Sequence, residues 1–268
     1  MNQRALIKKH FNFGIGLIYK AGKILINSFN NERIISNKGE IDLVTDADYK
    51  CENYIVESIL KKFPNHSILT EEKGSRNGNS DFLWIIDPLD GTTNYSRKLP
   101  IFSISIAFAV EGDIKFGLIY APKLNSIFSA IKGEGAFENN KTIHVSNVSD
   151  IGKSFLVTGF PYDIRSTDYD NIDIFAFLSK KVLAIRRLGS ASIDICYVAS
   201  GIFDCFWELK LKLWDYAAAS LILKEAGGKF TDFNGNEINV SGNIVNSVIG
   251  SNSIIHYEIL DIINSFIH

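Results

Sequence analysis

The segment that decides the fold spans residues 84–95 and reads Trp84-Ile85-Ile86-Asp87-Pro88-Leu89-Asp90-Gly91-Thr92-Thr93-Asn94-Tyr95. An apolar strand leads into two carboxylates, Asp87 and Asp90. Pro88 stiffens the turn between them because its ring fixes φ, and Gly91 lets the backbone pass close to a ligand. Carboxylates beside free backbone N–H groups suit a divalent cation that holds a phosphate. In the alternative interpretation, Asp and Gly serve only the geometry of a turn.

The chain before this segment has a helical pattern. Apolar residues spaced by three and four, from Ile7 to Leu25, predict a helix over 4–29. Thr45 can cap a second helix that stops before Pro64, and Asp48 three residues later also fits a capping box. Downstream, strands at 103–110 and 114–120 flank Glu111-Gly112-Asp113, which predicts an antiparallel hairpin. The first half therefore predicts helices packed on a largely antiparallel sheet.

The second half alternates strand and helix patterns, which is typical of an α/β layer. Strands are predicted at 155–158, 184–188 and 202–208, and helices at 171–181, 191–199, 215–226 and 253–266. We expect two subdomains: residues 1–148 form an N-terminal α+β subdomain, and residues 149–268 form a C-terminal α/β subdomain that completes the site.

The composition argues against several classes of function. Net charge is −2, which gives no electrostatic reason to expect tight binding of nucleic acid or of a membrane surface. The three cysteines lack C-x-x-C spacing, so neither a disulfide framework nor a zinc ribbon is indicated. No apolar run is long enough for a signal or membrane segment, so we expect a cytoplasmic location and no membrane association.

Two further acidic segments accompany residues 84–95. Leu69-Thr70-Glu71-Glu72 lies in a strand-to-loop setting, and Trp214-Asp215-Tyr216-Ala217-Ala218-Ala219 lies at a predicted helix start. Taken singly, Glu71 fits a solvated loop charge and Asp215 fits an N-cap.

In order and spacing, the three segments together resemble the inositol monophosphatase family. The resemblance extends over nearly the whole chain, through 42–48, 133–137, 158–162, 188–192 and 225–228, and Gly159-Phe160-Pro161-Tyr162 and Leu211-Lys212-Leu213-Trp214-Asp215 are similar to the bacterial branch. It implies an α+β fold, the layered α-β-α-β-α sandwich shared with fructose-1,6-bisphosphatase. It also implies a homodimer, activation by two to three Mg²⁺ ions and inhibition by lithium.

Residue roles carry over from the resemblance. The implied metal ligands are Glu71, Asp87, Asp90, Asp215 and the Leu89 carbonyl; the residues implied to orient the attacking water are Glu71, Thr92 and Asp48; and the implied substrate contacts are Gly91, Thr92, Ser190, Ala191, Glu208 and Asp215. Lys38 is a weaker match to a lysine near the third metal, and a solvated loop charge is the favoured interpretation of it.

Physical chemistry supports the metal. Two carboxylates ~5 Å apart at an effective dielectric of ~20 repel by about 3 kcal/mol, so several in one cleft require cations. Magnesium fits oxygen ligands, whereas zinc would need histidine or cysteine spacing that the chain lacks.

The predicted reaction is hydrolysis of a phosphate monoester of a small polyol or sugar by an activated water. Inositol 1-phosphate is the first choice of substrate, and fructose 1,6-bisphosphate or another small sugar or nucleotide phosphate is the alternative. A regulatory role is a hypothesis of another class, with Lys180-Lys181 or Arg186-Arg187 binding RNA or a protein. The net charge favours solvated or dimer-contact roles for these residues.

Overall fold

A computed structural model describes residues 2–30, 35–37, 43–238, 240 and 245–267. Its helices are α1 (Gln3–Asn30), α2 (Asp46–Lys62), α3 (Thr92–Ser96), α4 (Ile172–Leu178), α5 (Ala191–Ala199), α6 (Leu213–Glu225) and α7 (His256–Asn264). Its strands are β1 (Ile35–Asn37), β2 (Leu43–Thr45), β3 (Ser67–Thr70), β4 (Gly74–Arg76), β5 (Phe82–Asp90), β6 (Ser103–Val110), β7 (Asp113–Ala121), β8 (Ser126–Ile131), β9 (Ala136–Glu138), β10 (Lys141–Thr142), β11 (Phe155–Thr158), β12 (Ala184–Arg186), β13 (Cys205–Lys212), β14 (Lys229–Asp232) and β15 (Val245–Ser251).

Two large sheets organise the molecule. The first has eight strands in the order β10-β9-β8-β7-β6-β5-β3-β4, and it is antiparallel except where β3 pairs with β5. The second has five strands in the order β12-β11-β13-β15-β14, with parallel pairing from β12 to β13. Strands β1 and β2 form a separate antiparallel pair.

Helices cover both faces of each sheet. One core joins α1 and α2 to the first sheet, and another joins α4 and α7 to the second sheet. Between the sheets, α5 and α6 share a core with strands from both. These two helices are buried on most sides because each is packed between two sheets. The layers therefore run α-β-α-β-α, which confirms the predicted fold class.

Alternate side chains of β5 pack into two different hydrophobic cores. Trp84 and Ile86 pack toward α1 and α2, whereas Ile85 packs toward α5 and α6. A strand buried on both faces reads as a continuous apolar run, which is how residues 82–86 appear in the sequence. The strand is thus fixed from both sides before it reaches Asp87.

Several predicted elements match the structure closely. The strands at 103–110 and 155–158 and the helix at 191–199 are confirmed to the residue. The strand predicted at 202–208 has wrong bounds: Gly201 turns the chain with φ +74°, and β13 runs from Cys205 to Lys212. The helix predicted from Asp215 begins two residues earlier, at Leu213. The division at residues 148/149 stays a prediction.

The helices of the described ranges offer no candidate for a membrane span, because none is both long and apolar enough. Lys38 and Asp42 lie outside the described residues.

Candidate active site

The end of β5 forms the centre of the site. Between Asp87 and Asp90 the strand takes one more residue than β6 opposite, so the pairing jumps from Asp87↔Ser105 to Asp90↔Ser103. Pro88 lies in this bulge, where its missing N–H breaks no ladder bond. Asp87 Oδ1 accepts a hydrogen bond from the Leu89 N–H at 2.9 Å. The bulge therefore directs two carboxylates to one edge of the sheet.

Asp90 connects the first sheet to helix α5. Its Oδ2 accepts hydrogen bonds from the Ser190 hydroxyl at 2.6 Å, from the Ser192 N–H at 2.8 Å and from the Ser192 hydroxyl. A carboxylate at a helix N-terminus is also stabilised by the helix dipole. Asp90 thus has a fixed position before any ligand binds.

Gly91 and Asn94 hold the chain that follows Asp90. Gly91 has φ +91°, and a Cβ there would lie 3.0 Å from the Ile101 carbonyl oxygen and 3.1 Å from that of Gly189. The Asn94 amide donates to the carbonyl oxygens of Ile101 at 2.8 Å and Leu188 at 2.7 Å. Both residues bind the segment before α5 tightly against α3.

Asp48 lies behind Thr92 and is fully buried. Its Oδ2 accepts hydrogen bonds from the N–H and the hydroxyl of Thr45, so the capping box is confirmed. Its Oδ1 lies 3.2 Å from the Thr92 hydroxyl, which also lies 3.0 Å from the Leu89 carbonyl oxygen. The structural and the functional interpretations of Asp48 are therefore compatible.

Glu71 and Asp215 come from two other elements. Glu71 lies in the short loop between β3 and β4. Asp215 is the third residue of α6, not its N-cap, and its Oδ2 accepts a hydrogen bond from the Lys212 N–H at 2.7 Å. Both residues line the same cleft as Asp87 and Asp90, which has a volume of ≈ 390 Å³.

The carboxylates of the cleft disfavour one another's charge. Burial raises the pKa of Asp87 well above its usual range, and the charges of Glu71, Asp90 and Asp215 raise it further. Burial also raises the pKa of Asp215 well above its usual range, and the charges of Glu71 and Asp90 raise it further. Burial also raises the pKa of Asp90, although its serine hydrogen bonds oppose the shift. Such shifts, caused by several acids in one cleft, are typical of a functional site.

The donor set fits hard divalent cations. The predicted ligand set of Glu71, Asp87, Asp90 and Asp215 lines the cleft and needs compensating positive charge. Carboxylate and carbonyl oxygens are the ligands that Mg²⁺ prefers. Across the residues that the structure describes, no three His, Cys, Asp or Glu side chains already form a group arranged to hold an ion.

Glu208 lies at the other end of the cleft, on β13. Burial, and then the charge of Asp90, raise its pKa to about 8 against the opposing effect of Arg187. A Cβ on Gly159 would lie 2.2 Å from Glu208 Oε1, so glycine is needed where β11 ends. Asp194 of α5 also lines this end and is 1% exposed.

Comparison with known proteins identifies the family. The model of the inositol monophosphatase family matches residues 7–266. The chain belongs to the inositol monophosphatase family. Members of this phosphatase family include relatives that carry other names: the Nus factor SuhB of Escherichia coli strain K12 is 38% identical over 87% of this chain and 89% of its own length.

Solved structures agree with the family. The IMPase of Thermotoga maritima is 36% identical, covers 97% of this chain and 98% of its own, and superposes with a TM-score of 0.87. SaIMPase-II, solved with inositol monophosphate bound, is 26% identical over 94% of this chain and 92% of its own, with a TM-score of 0.80.

In this inositol monophosphatase family member, the structure brings the predicted site residues together. Those that line the single cleft are Glu71, Asp87, Leu89, Asp90, Gly91, Thr92, Ser190, Ala191, Glu208 and Asp215. Asp48 reaches it through the Thr92 hydroxyl. Their catalytic and ligand roles stay predictions.

Sequence reasoning missed other residues of this family site. Ser192 and Asn94 were within quoted motifs but had no assigned partner, because their contacts join segments about 100 residues apart. Asp194 could have been noticed as a lone acid in the apolar run Ile193-Asp194-Ile195. Glu52 shares one helical face with Asp48, four residues earlier, and both are fully buried.

Proposed function

We propose that this chain hydrolyses a phosphate monoester of a small polyol or sugar in a Mg²⁺-dependent reaction, with inositol 1-phosphate as the first choice of substrate. One observation carries the proposal: carboxylates from β5, α6 and the β3–β4 loop line one cleft, and their mutual repulsion contributes to the raised pKa values of Asp87 and Asp215. Bound cations relieve this repulsion at neutral pH while the carboxylates keep their charge.

The chain's own residues have distinct roles in this proposal. Glu71, Asp87, Asp90, Asp215 and the Leu89 carbonyl oxygen hold the ions. Bound there, Mg²⁺ would neutralise the carboxylates, bind phosphate oxygens and lower the pKa of a water. The backbone amides of Gly91 and Thr92 bind the phosphate.

Thr92 and Asp48 orient the attacking water together with Glu71. The Thr92 hydroxyl has one proton, which it donates to Asp48 or to the Leu89 carbonyl. Its oxygen is then left as an acceptor for a proton of the water. Asp48 and the Leu89 carbonyl thereby leave Thr92 with an acceptor oxygen for the cleft.

Glu208, with the Ser190-Ala191 backbone, binds the hydroxyl groups of the substrate. SaIMPase-II, which was solved with inositol monophosphate bound, supports a cyclitol phosphate as the class of substrate. Fructose 1,6-bisphosphate is the runner-up, because Glu208 and residues 158–162 most resemble the inositol monophosphate branch of the wider family.

Steady-state hydrolysis of both substrates with Mg²⁺ tests the proposal. We expect higher kcat/KM for inositol 1-phosphate, and we expect Asp87→Asn to lower activity by more than about 100-fold, because even outer-shell partners of metals cost 10–100-fold. The exposed Asp168→Asn is the matched control. Faster turnover of the bisphosphate would reverse the substrate ranking, and full activity of Asp87→Asn would refute the catalytic proposal.

The homodimer and lithium inhibition belong to the same proposal, since the family implies both. Light scattering in solution and a lithium titration of the activity test them.

A second candidate function is regulatory, and the name of the Nus factor relative favours it. Arg186 and Arg187 are both exposed and could contact an acidic partner. A regulatory role would survive Asp87→Asn and would be weakened by Arg186→Glu. Assays of partner binding and of phosphatase activity on both variants separate the two functions.

A further inference from the structure

Glu52 is a buried acid that the proposed chemistry does not use. It lies on α2, one helical turn after Asp48, and both side chains are 0% exposed. Across the described residues, Glu52 Oε1 is one of few buried polar atoms without a hydrogen-bond partner. A buried carboxylate with an unsatisfied oxygen is costly, so its presence needs a reason.

The other oxygen of Glu52 shows that reason. Glu52 Oε2 accepts a hydrogen bond from the Glu72 N–H at 2.9 Å, across 20 residues of sequence. Glu72 directly follows Glu71 in the loop between β3 and β4. The next residues of both segments are joined as well, since the Lys73 ammonium donates to the Asn53 side-chain oxygen. Helix α2 therefore holds this loop by two neighbouring contacts.

Asp48 and Glu52 have parallel tasks on the same helical face. Asp48 accepts a hydrogen bond from Thr92, and Glu52 accepts one from the residue beside Glu71. Burial raises the pKa of Glu52, whereas the Glu72 N–H and the Thr70 hydroxyl lower it. One helix thus sets the spacing between Thr92 and the loop that carries Glu71.

We propose that Glu52 is a positioning residue that fixes the Glu71 carboxylate for cation binding through its hydrogen bond to the Glu72 N–H. The inference rests on the proposed function, because Glu71 is there a ligand of Mg²⁺. It assigns Glu52 a role in geometry, not in charge. Removing the length of the side chain is therefore more harmful than removing its charge.

Two conservative variants separate length from charge. Glu52→Gln keeps an oxygen acceptor at the same distance and loses the charge, whereas Glu52→Asp keeps the charge and falls one methylene short of the Glu72 N–H. We expect Glu52→Asp to weaken Mg²⁺ binding by about 10–100-fold, the usual effect of removing an outer-shell partner, and Glu52→Gln to retain most of the affinity. Exposed Glu57 on the same helix supplies the matched controls Glu57→Asp and Glu57→Gln.

Direct binding is the primary measurement, by calorimetric titration of Mg²⁺ into the full chain, and the Mg²⁺ dependence of kcat and KM follows. The amide resonance of Glu72 reports the hydrogen bond itself, and we expect it to shift in Glu52→Asp and to change less in Glu52→Gln. Equal affinities of Glu52→Asp and wild type would overturn the proposal. So would a loss in Glu52→Gln as large as in Glu52→Asp, or a loss without a change at the Glu72 amide. Absence of Mg²⁺ binding and phosphatase activity in the wild type would instead refute the proposed function.

Discussion

At the scale of single residues, Gly159 shows how a small side chain serves substrate binding. A Cβ at this position would lie 2.2–2.4 Å from the Glu208 carboxylate atoms. Because these atoms end a flexible side chain, Gly159→Ala would displace Glu208 and leave the fold intact. We expect kcat/KM for inositol 1-phosphate to fall about tenfold, the value of one hydrogen bond near 1.4 kcal/mol.

The substrate comparison makes this prediction specific. The substrate p-nitrophenyl phosphate has no hydroxyl group for Glu208, so Gly159→Ala should hardly change its hydrolysis. Gly16→Ala is the control, since a Cβ on this helical glycine meets nothing within 4 Å. An equal loss on both substrates would show that Gly159 serves the fold and not the Glu208 contact.

The sequence predicted which site residues lie together only where they belong to the same motif. Asp87 and Asp90 lie on one strand, so their proximity follows from local structure. The hydrogen bonds of Asp90 to Ser190 and Ser192 depend on the packing of α5 against β5, which no local pattern encodes. Glu52 was hidden for the same reason, because its partner Glu72 belongs to another element.

At the scale of elements, the contact of α6 with β7 determines where Asp215 lies. A Cβ on Gly117 would lie 2.3 Å from the Ala218 carbonyl oxygen, so β7 can approach the backbone of α6 at Ala218 only because residue 117 has no side chain. The backbone of α6 cannot move aside as easily as a flexible side chain can. We expect Gly117→Ala to lower the free energy of unfolding by about 1–3 kcal/mol, the usual cost of overpacking.

Urea denaturation of Gly117→Ala measures this cost, with Gly16→Ala as the control. Because α6 also carries Asp215, we further expect weaker Mg²⁺ binding in the folded variant. Unchanged stability would mean that α6 can move outward, and unchanged Mg²⁺ affinity would mean that Asp215 does not depend on that packing.

Helices and strands were predictable from the sequence where their apolar pattern extends over many residues. The helix predicted over 4–29 corresponds to α1, because its apolar face repeats over about five turns. Strands β4, β9 and β10 have two or three residues each, too few to show a period, and they were not predicted. Residues 202–208 were apolar but belong partly to a turn, so composition alone misplaced the start of β13.

At the scale of the whole molecule, two sets of groups respond oppositely to pH. The cleft acids have raised pKa values, with Glu208 at about 8. The stability that they contribute without metal is present below their unfolded pKa and is lost as pH rises through the folded pKa. Burial lowers the pKa of His66 and of His256 to about 4, and their contribution is lost as pH falls below about 6.5.

Between about pH 7 and about pH 9 the histidines are neutral in both states, so the cleft acids dominate the pH dependence. Protons compete with Mg²⁺ for these carboxylates, and the competition weakens as pH rises. We therefore expect the increase in Tm caused by a fixed Mg²⁺ concentration to be larger at about pH 9 than at about pH 7, with saturating binding worth about 2.7 kcal/mol at 100 Kd.

Thermal unfolding with Mg²⁺ and with a chelator at both pH values measures this difference. Asp87→Asn is the informative variant, because it removes one titrating ligand and should reduce both the Mg²⁺ effect and its pH dependence. If Mg²⁺ bound without displacing protons from the cleft acids, the increase in Tm would be the same at both pH values. A Mg²⁺ effect that shrinks as pH rises would show that the ion binds away from the acids of the cleft, since only those acids exchange protons for it in this range.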